Sequence, residues 1–586
     1  MPVKFENLVD LCEQSCRSYA DRQLFGVKDA TGWRWITYTR FHEMVSAFRG
    51  GLAGLGIGRG DKVAIIADNR VEWAVACYAT YGLGASLVPM YQAQLAKEWH
   101  FIIEDCAAKA AIGATNTITE QLRKMRAEIP TLEHVIGLEL APSDDHSYAS
   151  LLEAGRAHPV PAGSPKGADV AGLIYTSGTT GLPKGVILSH GNICSNVNAI
   201  HQIFTFDPDD RSLAFLPWAH SFGQTCELHC LVSMGCSMAI NDDIKNLVPN
   251  LAEVKPTVLY AVPRVFNRLY EGVNAQIAAR PGVIQRLFKH GVDAAKRKTR
   301  GEPVGALDQL VLTLADHLIF STVRQRFGGR LKYAISGSAA LNPDVAAFID
   351  ALGITVYEGY GLTETSPIAT TNYPGHRKLG SVGLPIPDVA VQIDRSVTGD
   401  PQHGEIIVKG PNVMQGYHNR PEETHAVLME DRSFRTGDMG YLDPGGYLYI
   451  TGRIKEQYKL ENGKYVVPSP MEEQLKLSPY IANVMIYGAN KPHNVALVVP
   501  DSEALRAWAE KQGITLGNVC TNKQVHDLIR SEIDALSKDI KGYERVQDFV
   551  LCLEDFTTEN GMLTPTLKVK RRVVLERYGQ DLDALY

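Results

Sequence analysis

The feature that most constrains this chain is the alternation of short, apolar, β-branched runs with stretches of helical periodicity over roughly its first 450 residues. Residues 62–67 (KVAIIA) read as a buried strand, 71–82 as a helix and 85–89 as the next strand. Residues 110–113, 135–137, 213–216, 258–261 and 333–335 read as further short strands. Strands separated by helices predict parallel sheets with helices on their faces. A segment of about 450 residues outgrows one core, so two stacked subdomains and a smaller β unit are predicted.

The pattern changes at residues 389–450, where Gly and Pro punctuate short alternating runs such as EIIVK at 405–409. That predicts an antiparallel unit. From about residue 454 the βα pattern returns, through 484–487, 496–499 and a helix over 523–541. A boundary near 453–455 divides the chain into 1–453 and 454–586, the second piece being of ordinary domain size. The expected class is α/β. A large N-terminal domain of stacked mixed or parallel sheets with helices carries a small β unit, and a smaller α+β domain follows.

Composition removes several function classes. The 586 residues carry a net charge of −6, so no overall basic field draws the chain to nucleic acid. No run of about 18 uncharged apolar residues is present, which argues against a spanning helix. The first ten residues include Lys4, Glu6 and Asp10 and lack the apolar core of a signal peptide, and the last four match no peroxisomal or ER address. A cytoplasmic protein, monomer or homodimer, is the expectation. Ten scattered cysteines do not form a disulfide framework. Cys226, Cys230 and Cys236, near His220 and His229, contain no CxxC pair and read as buried thiols rather than metal ligands. The basic stretch Lys289, Lys296, Arg297, Lys298, Arg300 reads as a solvated helix face, or else as a peripheral contact with anionic membrane.

The densest chemical signal is GLIYTSGTTGLPKGVILSH at 172–190. Gly178, Gly181 and Gly185 let backbone amides approach a ligand, Thr176, Ser177, Thr179 and Thr180 supply hydroxyls, and Lys184 supplies charge. Together they suit a polyphosphate. This is not a Walker A loop, because Pro183 precedes the lysine and Gly185 follows it.

The segment resembles the signature loop of the adenylate-forming (AMP-binding) superfamily, which includes acyl-CoA synthetases, non-ribosomal peptide adenylation domains and firefly-type luciferases. The resemblance continues in order along the chain. YEGYGLTETSP at 357–367 resembles the element that stacks adenine on an aromatic ring and holds Mg²⁺. It implies Tyr360 and Gly361 at the nucleotide, Thr363 facing phosphate, and Glu364 on the metal with Thr180. AISGSAAL at 334–341 resembles the loop lining the adenine and acyl pockets, with Gly337 and Ser338 as the small residues. FRTGDMG at 434–440 and TGRIK at 451–455 resemble the ribose-binding pair, Asp438 and Arg453, followed by the hinge position, here Lys455. LENGKYVVP at 460–468 looks like the long-chain branch and implies that Gly463 flanks a pantetheine channel. LTPTLKVKRRVV at 563–574 makes Lys568 the expected catalytic lysine and Lys570 its competitor, with Leu567 where relatives carry Gly. His220, in LAFLPWAHSFGQ at 213–224, matches a gating position at the mouth of the acyl and ATP sites. Gln224 stands where some long-chain relatives have a Trp gate.

The resemblance implies ATP-dependent ligation of a long-chain fatty acid to coenzyme A through an acyl-adenylate. ATP, Mg²⁺ and CoA are the implied cofactors and co-substrates, with Lys568, Glu364, Lys184 and His220 in the chemistry. The mobile C-terminal domain would carry Lys568. Loading of a carrier protein and non-catalytic nucleotide sensing are the rival readings.

Overall fold

The computed structural model describes residues 4–176, 183–397, 402–538, 540–564 and 568–586. Two large sheets organise the N-terminal part. The first has seven strands in the order Gly416–Tyr417, Lys184–Ser189, Val170–Thr176, Ser86–Met90, Lys62–Ile66, Ala110–Gly113, His134–Gly137. The last five run parallel and the first two are antiparallel additions. The second has nine strands, from Leu384–Pro385 at one edge to Gly32–Thr37 at the other. Its middle is parallel and both ends are antiparallel.

Helices cover these sheets because the strands are apolar on both sides. Lys62–Ile66 and Ser86–Met90 bury nearly every residue, and the intervening Val71–Gly82 helix is buried almost throughout. One continuous core joins both sheets, with Phe25, Trp73, Tyr81 and Trp218 among its bulky members. A second cluster, around Leu259, Phe288, Phe320 and Phe348, packs the far side of the nine-stranded sheet.

The predicted β unit is a four-stranded antiparallel sheet of Ala390–Asp394, Gly404–Lys409, Phe434–Leu442 and Leu448–Arg453. Beyond it, Ile481–Tyr487 pairs antiparallel with Asn494–Pro500, which pairs parallel with Val546–Leu551. Alternation places Val484, Ile486, Ala496 and Val498 in one core and Met485, Val495, Leu497 and Val499 in another, so both faces of this small sheet are covered. The helix expected over 523–541 is shorter, Lys523–Leu536, because Ser537 leaves helical geometry.

The stretch Ala306–Arg326 qualifies the reading against a spanning helix, since it is long and apolar enough by composition to cross a membrane. It packs lengthwise on the Gly282–Thr299 helix, where a Cβ on Gly291 would stand 2.5 Å from Ala315 Cβ.

Candidate active site

A cavity of about 870 Å³ opens where the two large sheets, the β unit and the C-terminal segment meet. Its position follows from strand ends. Val170–Thr176 and Lys184–Ser189 form a hairpin in which Thr176 stands opposite Lys184, so both line the cavity. Ser177, Gly178, Thr179, Thr180 and Gly181 lie outside the described residues. Gly185 departs from the sequence reading. A Cβ there would meet the Tyr175 ring at 2.8 Å, so this glycine makes room for a protein side chain rather than for a ligand.

Tyr360 is the penultimate residue of the strand Val356–Gly361, and its hydroxyl donates to Asp438 Oδ2 at 2.7 Å. Asp438 also holds Arg453 Nε, 2.7 Å from Oδ1. Burial pushes the Tyr360 phenol well up, and the Asp438 charge adds to the effect. Asp438 in turn raises Arg453 further above its ordinary value. Gly361 is enforced sterically, because a Cβ would fall 1.8 Å from the Pro367 carbonyl oxygen. The Ser366–Pro367 peptide is cis.

Glu364 follows in the turn Thr363–Thr365 and accepts from the Tyr417 hydroxyl at 2.8 Å on Oε1. Lys184 Nζ lies 5.3 Å from the Tyr417 ring centre and 3.9 Å from Glu423 Oε1. One tyrosine thus bridges the acid and the lysine. Thr363 is buried, with its hydroxyl 3.4 Å from that of Ser221. Gly337 and Ser338 line the cavity just past Tyr333–Ser336, Ser338 with a left-handed φ of 70°. A Cβ on Gly337 would stand 3.2 Å from the Phe222 ring, so its smallness accommodates the protein's own aromatic as well as opening the pocket.

His220 and Lys568 share the cavity. Burial lowers His220 to about 4, and the nearby Lys568 charge acts in the same direction, so the imidazole is neutral near pH 7. Lys568 projects from a hairpin in which Thr564 N donates to Lys568 O and Lys568 N to Thr564 Oγ1, at 2.8 and 3.0 Å. Solvent filling the open cavity still reaches its side chain, although protein surrounds it. That enclosure lowers its pKa, Arg453 lowers it further, and Asp438, Glu456 and Glu364 oppose the shift. Lys570 also borders the cavity but points to Glu98, 3.9 Å away.

Comparison with known proteins identifies the family. Residues 12–418 match the AMP-binding enzyme family, and residues 455–586 match the AMP-binding enzyme C-terminal domain. The chain belongs to the AMP-binding enzyme family. It is 34% identical over 576 residues to a long-chain-fatty-acid–CoA ligase, FadD15, of Mycobacterium tuberculosis, covering 94% of this chain and 92% of that protein. It is 31% identical to the peroxisomal long chain acyl-CoA synthetase 7 of Arabidopsis thaliana, covering 97% and 85%. The adenylation domain of a carboxylate reductase from Mycobacterium chelonae shares the fold, with a TM-score of 0.80 at 23% identity and 99% and 91% coverage.

In this AMP-binding enzyme the cavity gathers Thr176, Lys184, His220, Gly337, Ser338, Tyr360, Gly361, Thr363, Glu364, Arg453, Lys455 and Lys568, with Asp438 bonded to two of them. Gly463 is not brought there. It sits exposed in the turn between Tyr458–Lys459 and Tyr465–Val466, with φ 81°. Thr566 and Leu567, beside Lys568, lie outside the described residues. Sequence reading missed Tyr417 and Glu423. Tyr417 reaches the site because Gly416–Tyr417 pairs with the strand carrying Lys184, a juxtaposition that no local spacing signals.

Proposed function

We propose that this enzyme ligates a long-chain fatty acid to coenzyme A with ATP, through an acyl-adenylate. The observation that carries the reading is one cavity with two chemistries. Its polar side presents Lys184, Glu364, Arg453 and Lys568, while Ile200, Phe204, Phe222, Cys226, Tyr260 and Ile335 supply an apolar recess. Nucleotide and acyl chain need these two environments side by side. The likeness to long-chain ligases over nearly the whole chain favours a long acyl group.

In this reading Tyr360 offers its ring to adenine. Asp438 accepts from the ribose hydroxyls, held in place by Arg453. Thr176, Lys184 and residues 177–181 take the polyphosphate. The Glu364 carboxylate fits a hard cation, since Tyr417 bonds only one of its oxygens. Glu364 and Thr180 would hold Mg²⁺, which would neutralise charge on the leaving pyrophosphate.

The substrate carboxylate is ionised at neutral pH and needs no base. It attacks the α-phosphorus and pyrophosphate leaves. Lys568 spans the attacking carboxylate and the α-phosphate oxygens, reducing the repulsion between two anions. His220, neutral at pH 7, lies at the meeting of the acyl and nucleotide spaces without adding charge. In the second half-reaction the CoA thiol attacks the acyl carbonyl, its proton is released, and AMP leaves. Rotation of 454–586 about Lys455 withdraws Lys568 and presents the Gly463 turn to the thiol channel. Exposure of both Lys455 and Gly463 supports such a motion. A long-chain acid partitions into bilayers, so the reading includes peripheral membrane contact by a cytoplasmic monomer or homodimer.

The deciding experiment is AMP release by the purified protein with ATP and Mg²⁺, across acids from acetate to oleate, with and without CoA. CoA-dependent release that peaks with long acids is expected. Pyrophosphate release indifferent to CoA would replace this reading with carrier-protein loading, and no turnover with any acid would replace it with nucleotide sensing.

A further inference from the structure

The stretch Ala306–Arg326 exposes four leucines at spacings of three and four. Leu307 is 75% exposed, Leu310 58%, Leu314 45% and Leu318 56%. These spacings place them in one stripe along a helix. The opposite side, with Ala315, Ile319, Phe320 and Val323, is buried against the protein. Folding therefore does not use the leucine stripe, and exposed apolar surface of this kind marks an interaction site.

Charge around the stripe is arranged to suit an anionic partner. The helix carries two acids, and both turn back onto arginines. Asp308 lies 2.9 Å from Arg297, and Asp316 lies 2.6 Å from Arg324. Residues 282–326 hold eight lysines and arginines against four acids, within a chain of net charge −6. Arg286, Lys289 and Lys298 are exposed on the adjacent Gly282–Thr299 helix, as is Arg300 at its C-terminal cap.

We propose that this helical hairpin docks the enzyme on a bilayer containing anionic lipid, with the leucine stripe in the headgroup–acyl boundary and the cations against lipid phosphates. An exposed apolar stripe beside a basic helix has the chemistry of an interfacial segment. The hairpin lies along the protein surface, so it rests in the interface rather than crossing it. The basic stretch that sequence alone left between solvated face and membrane contact thereby gains its apolar complement. The proposal extends the membrane contact of the proposed function, but its test reads lipid binding without ATP, acid or CoA. Its failure would leave the ligase reading standing.

The test is flotation of the full chain with phosphatidylcholine vesicles and with vesicles that also contain phosphatidylglycerol. The wild type is expected to float with the anionic vesicles and to be released by salt. Leu310→Glu with Leu314→Glu is expected to weaken binding at least about tenfold. Lys289→Gln with Lys298→Gln is expected to weaken it about fivefold per charge on anionic vesicles only. Both pairs should leave turnover of a short, soluble acid unchanged. If the glutamate pair lowers the melting temperature, the lysine pair decides alone. Failure of the wild type to bind either vesicle, or binding that both variants retain, would overturn the proposal. So would a protein dimer that the leucine variant converts to monomer in sedimentation velocity, because the stripe would then be covered by a second copy.

Discussion

Asp438 and Arg453 stand directly opposite each other on the antiparallel strands Phe434–Leu442 and Leu448–Arg453, with Nε and Oδ1 2.7 Å apart. The pair is built by sheet register, so the acid proposed to hold the ribose is positioned by the protein's own strands. Tyr360 joins it from the nine-stranded sheet through its hydroxyl. One hairpin and a strand residue 78 positions from Asp438 thus converge on one carboxylate.

Asp438→Asn should raise the KM for ATP about tenfold or more, because a charged acceptor is replaced by a weaker one and Arg453 loses its counter-ion. Tyr360→Phe, which removes only one of the bonds to Asp438, should cost less than Asp438→Asn. Equal effects of the two substitutions in steady-state kinetics would mean that the carboxylate is not the ribose ligand.

Lys568→Ala should slow adenylate formation about 10²–10³-fold, the usual scale for one preorganised electrostatic group. Thioester formation from supplied acyl-adenylate should be spared. The two half-reactions are read separately by pyrophosphate release and by CoA consumption. A parallel loss in both would sink the domain-rotation assignment.

Glu227 makes a pH prediction outside the polar site. It is fully buried in the Phe222–His229 π-helix, and neither carboxyl oxygen has a well-formed hydrogen bond. Burial raises its pKa to about 8, against the opposing effect of nearby Ser212 and Trp218. The folded state therefore holds a proton that the unfolded chain releases near its ordinary value of 4.5. Its contribution is fully present below pH 4.5 and is lost as pH rises through about 8. Glu227→Gln should gain stability relative to wild type between pH 5 and pH 8, by up to about 1.4 kcal/mol per pH unit. Denaturant unfolding of both proteins across that range reads the difference, and a flat difference would show that Glu227 titrates normally.

Gly361→Ala should destabilise the fold by about 3 kcal/mol, since the added methyl meets a backbone carbonyl at 1.8 Å and no side chain can rotate away. Thermal melting should show the loss even without substrates, which separates it from a defect in nucleotide binding.

The sequence by itself determined the class of fold, the β unit and most of the residues gathered at the polar side of the cavity, for a physical reason. The 62–67 and 85–89 runs are apolar on both faces because their strands are covered on both sides, and such strands declare themselves without knowledge of their neighbours. Tyr360 and Glu364, or Asp438 and Arg453, sit in short strings where one strand end or one hairpin presents the working side chains. Tertiary structure alone decided the rest. Tyr417 meets Glu364 only because two strands more than 200 residues apart in sequence pair at the sheet edge. The neutrality of His220 comes from burial and from a lysine on the far C-terminal segment. Gly185 looked like a ligand contact until the Tyr175 ring was seen to occupy its space. The leucines of Ala306–Arg326 had the spacing of an ordinary core helix, and only the packing of its opposite side against the protein left them facing solvent.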